Sequence, residues 1–154
     1  MNQIARIRGQ FKSVCVGPAW HGASLDENLE GITAAQAGQH PIAGAHSIWE
    51  IVNHISAWEH KIARVLAGEE FVTMTGDDDW PPVTDSSEQA WQATLASVDA
   101  GRKALAAAMK AFPEENLEKI VPGRDFAWYV VLDGMTHHSV YHSAQIAMLK
   151  KAVK

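Results

Sequence analysis

Cysteine is nearly missing from this chain: Cys15 stands alone among 154 residues. That count excludes an internal disulfide, a Cys-x-x-Cys redox motif and any zinc finger built on paired thiolates, and it suits a reducing cytoplasm. Long apolar runs are missing as well. No stretch approaches the ~20 residues a spanning helix requires, and Arg6 and Arg8 stand where a secretory signal would be apolar, so the expected location is cytoplasmic, with no membrane partner. Positive charge is scarce and scattered, 13 Lys and Arg against 18 Asp and Glu, for a formal net charge of −5. With no basic patch to neutralise phosphates, nucleic acid is excluded as the expected partner. No run alternates like a strand, and there is neither an internal repeat nor a low-complexity tract.

What is present is apolar and helical in pattern. At 47% hydrophobic content, 154 residues suit one compact domain over 1–154. Ile4, Ile7, Phe11, Val14 and Cys15 recur at spacings of three and four, which predicts a first helix over 2–16 that ends at Gly17-Pro18. Cys15 lies in the apolar run FKSVCVGPAW without a nearby His or acid to activate it, so it reads as a packing residue rather than a nucleophile. Residues 19–45 hold four Gly and one Pro, yet Ser24-Leu-Asp-Glu27 and Thr33-Ala-Ala-Gln36 both read as capping boxes, which predicts short helical turns within a long crossover.

Ser47-Ile-Trp-Glu50 is a third capping box, and the helical period behind it runs from Ile48 to Leu66 before Gly68. The segment 68–84, with GDDDWPP, reads as a surface loop whose acidic run is a solvated face; a lid over a site is the less favoured reading. Asp85-Ser-Ser-Glu88 is expected to cap a third long helix that closes at Phe112-Pro113, and Asp125 to cap a last helix running to about Lys151. Four long amphipathic helices, with a long crossover between the first two, predict an all-α four-helix bundle.

The chemistry concentrates in histidine. On the last helix the apolar stripe Val131, Met135, His138, His142, Ile146, Leu149 contains two imidazoles four residues apart, about 6 Å between Cβ atoms on one face. On the second long helix His54 lies between Ile51 and Trp58 on the inward side. One divalent ion satisfies all three imidazoles at once, whereas separate burial of each costs roughly 1 to 3 kcal/mol without a partner. The competing reading makes each a neutral core histidine bonded to its neighbours. His137, about 100° round the helix, is a bystander. His21, His40, His46 and His60 take solvated or capping roles, and the six tryptophans, Trp49 included, are read as mostly core. The zinc-protease motif is absent because Ser139 stands where its glutamate belongs, and the Glu-x-x-His pairs of dinuclear bundles are absent too.

The residues His54-Ile-Ser-Ala-Trp58-Glu59 and His138-Ser-Val-Tyr-His142-Ser-Ala-Gln145-Ile146 resemble the DinB-like superfamily, which includes bacillithiol transferases and related metal hydrolases. The resemblance implies a four-helix bundle with a three-histidine site for nickel or zinc at His54, His138 and His142, and a homodimer. The one departure is Ala144 where the family often has glycine. The family's name refers to DNA damage, but the acidic balance of this chain gives DNA binding no support.

The activity implied is a metal-dependent transfer in which a low-molecular-weight thiol cosubstrate attacks a small electrophile. The alternatives are a metal hydrolase, with Glu50 or Glu59 as proton acceptor, and a non-catalytic metal-binding protein of stress responses. Gln145, Tyr141 and Glu50 are candidates to orient the imidazoles. No catalytic side chain is assigned.

Overall fold

The computed structural model describes residues 2–154. Six α-helices follow one another: α1 (Gln3–Val16), α2 (Leu25–Leu29), α3 (Ala34–Ala37), α4 (Ile48–Leu66), α5 (Glu88–Ala111) and α6 (Trp128–Lys150). No strand forms among the described residues, and two isolated antiparallel bridges, Ala19 with Gly22 and Ile120 with Ala127, pin the turns around them.

Local chemistry starts most of the helices. Ser24, Thr33 and Ser47 each accept from the backbone N–H three residues on, while Glu27, Gln36 and Glu50 reach back to the cap's own N–H, so all three capping boxes form as expected. Two expected caps are corrected. Ser87, not Asp85, caps α5 by accepting from the Ala90 N–H; Asp85 instead accepts from the Ser87 N–H and shapes the turn ahead of it. Asp125 does not cap α6, which has Ala127 at that position and no side-chain cap. The first free N–H groups of α6 donate to the preceding connection, Trp128 to the Lys119 carbonyl at 3.1 Å and Tyr129 to the Leu117 carbonyl at 2.9 Å.

The four long helices pack as a bundle, with α4 most extensively against α5, and α1 and α6 closing the other faces. The core divides into two apolar clusters. One gathers Leu25, Ile48, Trp49, Ile55, Trp91 and Ile146; the other gathers Phe11, Cys15, Ile62, Leu105, Leu132 and Met135. The start of α4 shares a cluster with the end of α6, and the end of α4 with the start of α6, so these helices run antiparallel. Their midpoints, where His54, His138 and His142 lie, fall between the two clusters. α2 and α3 lie in the crossover, α2 against α1 and α6, α3 against α4 and α5.

Tryptophan is mostly core, as expected: Trp49 and Trp91 lie within it, Trp58, Trp80 and Trp128 pack against it, and Trp20 alone stands outside. Only Trp49 and Trp91 are buried, and Trp49 Nε1–H donates to Thr94 at 2.9 Å. Trp20 is fully exposed beside the Gly17-Pro18 turn, and Trp58, Trp80 and Trp128 are half-buried.

Candidate metal centre

Residues 138 and 142 are one helical turn apart on α6, and residue 54 faces them from α4, so the fold brings together the three histidines singled out in the sequence. One ring nitrogen from each lies within 4.8 Å of the others. The ring centroids are separated by 4.9 Å (His54 to His138), 4.8 Å (His54 to His142) and 4.5 Å (His138 to His142). His54 and His142 are buried and His138 is partly buried.

Neighbouring acceptors set the tautomers. The Asp79 carbonyl lies 2.7 Å from His54 Nδ1, and a carbonyl only accepts, so Nδ1 carries the proton and Nε2 the free lone pair. Gln145 Oε1 lies 2.7 Å from His142 Nδ1 and fixes that ring in the same way. His138 Nε2 is 2.9 Å from His54 Nε2, which makes it the donor to that lone pair, while His138 Nδ1 is buried without a partner. Burial pushes His138 down to about 3, with the other two imidazoles adding to the shift, and pushes His142 down to about 4 against the Gln145 hydrogen bond. His54 is lowered by burial too, opposed by Asp79. All three are therefore neutral at pH 7, the state in which an imidazole ligates a metal.

The connection after α4 contributes more than its composition suggested. Asp77 and Asp78 are exposed, as a solvated acidic face requires, but Asp79 and Trp80 turn inward. Asp79 Oδ1 lies 3.1 Å from His54 Nδ1 and accepts from Trp58 Nε1–H at 2.7 Å. Trp80 stacks on His54 at 3.9 Å with its other stacking partner, His46, at 3.6 Å. Asn53 Nδ2 donates to the Pro81 carbonyl at 3.0 Å and fastens the far side. Asp79 and Trp80 therefore cover the histidines, while residues 77 and 78 keep the solvated face.

Several sequence candidates fall elsewhere. Glu50 does not orient His54: its Oε2 accepts from the Ser47 N–H at 2.7 Å and meets His40 Nε2 at 2.9 Å, because the capping box turns it toward the helix end. Glu59 faces α5, with its Cβ 3.2 Å from where a Cβ on Gly101 would stand, away from the histidines. Neither is placed to serve as a base there. Tyr141 is exposed and presents only a ring edge to His142, at 5.1 Å, without a hydrogen bond to it. His137 and His21 are exposed, and His60 Nε2 meets the Ser97 carbonyl at 3.1 Å, in keeping with their expected minor roles. His46 is not simply solvated, since it forms the outer layer of the Trp80 stack.

Asp79 and Trp80 are what the sequence reading missed, and their only signal was an aromatic residue inside an acidic loop. Beside the histidines lies a pocket of about 400 Å³, walled by Trp58, Ile62, Phe71, Phe126, Val131 and Met135, with His54, His138 and Asp79 also on its lining.

The class defined by this bundle and its histidines agrees with the comparison to known families. The model of the DinB superfamily matches residues 19–146, which include all three histidines, and the chain belongs to that superfamily. Searches of curated proteins and of solved structures return no match. No described helix is long and apolar enough to cross a membrane.

Proposed function

We propose that this chain is a metalloenzyme that holds one divalent ion, nickel or zinc, on one ring nitrogen each of His54, His138 and His142, with His138 carrying its ring proton on the otherwise unpartnered Nδ1 when the ion is bound, and transfers a low-molecular-weight thiol to a small electrophile. The observation that carries the reading is the convergence of three neutral imidazoles, two of them held with Nδ1 protonated by Asp79 and Gln145. That donor set fits a borderline-soft divalent ion with positions left for solvent or substrate, and such an ion makes a coordinated thiol or water more acidic.

In the reaction, the thiol proton leaves for a base, the sulfur forms a bond to the electrophilic carbon, and the leaving group departs with the electron pair of the broken bond. Asp79 is the carboxylate on the pocket wall and is the residue positioned to take the proton. Trp80 over His54 and the apolar wall keep bulk water from competing with the thiol. Cys15 takes no part: it is buried, and burial pushes its thiol up to about 12.

A hydrolytic reading draws on the same carboxylate. Asp79 would then deprotonate water, in place of Glu50 and Glu59. The family resemblance also favours a homodimer, which light scattering on purified protein tests.

The functional test is consumption of bacillithiol, mycothiol or glutathione by metal-loaded protein with a panel of epoxides and aryl halides. Turnover with one thiol that is abolished in His138→Ala supports thiol transfer. Turnover of esters without any thiol supports hydrolysis instead. One bound ion without turnover on either panel assigns the ion a structural role and overturns the enzymatic reading.

A further inference from the structure

The pocket beside the histidines is a groove with a direction. His54, Trp58 and Ile62 step along α4 one turn at a time, while His138, Gly134 and Val130 step the opposite way along antiparallel α6, and Phe71 and Phe126 meet edge to face at 6.0 Å. From residue 54 to residue 62 the axis rises about 12 Å at 1.5 Å per residue. The polar groups on the lining, His54, His138 and Asp79, touch one another or a shared neighbour at one end, and beyond them the walls are aliphatic and aromatic.

Gly134 separates this groove from ordinary packing. It lies inside α6 one turn before His138, where glycine weakens a helix relative to alanine. A glycine that permits close helix contact has neighbours in the way of a Cβ, as Gly101 does, where an added Cβ would meet His60 at 3.0 Å and Glu59 at 3.2 Å. An added Cβ at Gly134 meets nothing within 4 Å. The space it leaves is the groove itself.

We propose that this groove binds an uncharged, largely apolar molecule of about two fused rings, seated with one end against His54 and His138, and that Gly134 keeps the groove open for it. The size follows from the volume of about 400 Å³, since an apolar cavity of roughly 150 Å³ accommodates one benzene. The charge preference belongs to the side chains: Asp79 is the one carboxylate on the lining and no cationic side chain there pairs an anion, so the sulfonate comparison is made on chelator-treated protein, where no ion at the histidines can do so. That the bound molecule is the electrophile rests on the thiol-transfer reading; that it binds does not.

Equilibrium dialysis of the purified full chain, with its metal content measured on the same sample, tests the site with naphthalene and with naphthalene-2-sulfonate. One naphthalene per chain is expected, with sulfonate binding at least tenfold weaker. Gly134→Leu, which fills the groove one turn from His138, weakens naphthalene at least tenfold, and Gly134→Ala weakens it less. Val130→Glu changes an exposed wall position, provides a second variant should Gly134→Leu fail to fold, and also weakens naphthalene at least tenfold. Absence of saturable naphthalene binding, equal binding of the sulfonate, or undiminished binding in the folded variants overturns the proposal. Naphthalene binding without bound metal upholds the groove while sinking the metalloenzyme, and metal without naphthalene does the reverse.

Discussion

Two groups of titratable side chains are buried against α4, on different sides of it. Toward α6, His54 meets His138 and His142, and each of two rings has an acceptor on Nδ1 that leaves the lone pair on Nε2. Toward α5, Glu59 is wholly buried with both carboxylate oxygens unpartnered, near Arg102, whose Nη1 instead donates to both Asp26 oxygens at 2.8 and 2.9 Å. Burial pushes Glu59 up to about 8, with Arg102 pulling the other way, so at pH 7 it is largely a neutral acid.

Both groups are buried and shifted toward their uncharged forms, yet only the histidines bring one ring nitrogen from each of three residues within 4.8 Å of one another. Burial and perturbed acidity alone therefore do not mark a functional site in this molecule; orientation does.

The largest expected effect comes from removing a ligand on the histidine side. Saturating zinc at 100 times Kd stabilises a folded protein by about 2.7 kcal/mol, which for a chain of this size corresponds to a rise of several degrees in Tm. His138→Ala should abolish that rise in differential scanning fluorimetry, and an equal rise in the variant would erase the distinction between the two sides. Gln145→Leu leaves the three ligands but removes the acceptor that fixes His142; isothermal titration should find metal affinity reduced roughly 10- to 100-fold.

The two sides also respond to pH in opposite senses. His138 and His142 have folded values below that of a free imidazole, so the unfolded chain binds more protons in acid. Their contribution is complete above about pH 6.5 and is lost as pH falls toward about 4 and then about 3. Glu59 has a folded value above the ordinary 4.5, so the unfolded chain releases its proton first and stability declines as pH rises from 4.5 toward about 8. Glu59→Gln should therefore flatten the alkaline side of a urea-unfolding series and be more stable than the parent at pH 8. It should leave metal affinity unchanged, whereas a loss of affinity would join the two clusters into one site. The smallest effect is expected for His137→Ala, an exposed neighbour of His138, with less than a twofold change in metal affinity by the same titration.

Much of this architecture was legible because it is written in local chemistry. The capping boxes at Ser24, Thr33 and Ser47 depend on residues three apart, and the stripe that places His138 with His142 depends on residues four apart. The start of α6 was misread because its first N–H groups bond to carbonyls of residues 117 and 119, a partnership that no neighbouring side chain announces. Asp79 and Trp80 were hidden for a similar reason. Charge predicts where an acidic loop prefers to lie, but a carbonyl 25 positions along the chain from His54 turned one aspartate inward. Glu50 and Glu59 were attractive by proximity in sequence, and the capping box and the helix wheel respectively direct them away.

Elemental mass spectrometry of tag-free protein, purified beside a His138→Ala variant, decides whether the three histidines hold one ion. Close to one nickel or zinc per chain is expected in the parent, with loss of that ion in the variant. No metal in the parent after reconstitution with either ion would contradict it and make the trio a buried hydrogen-bonded cluster.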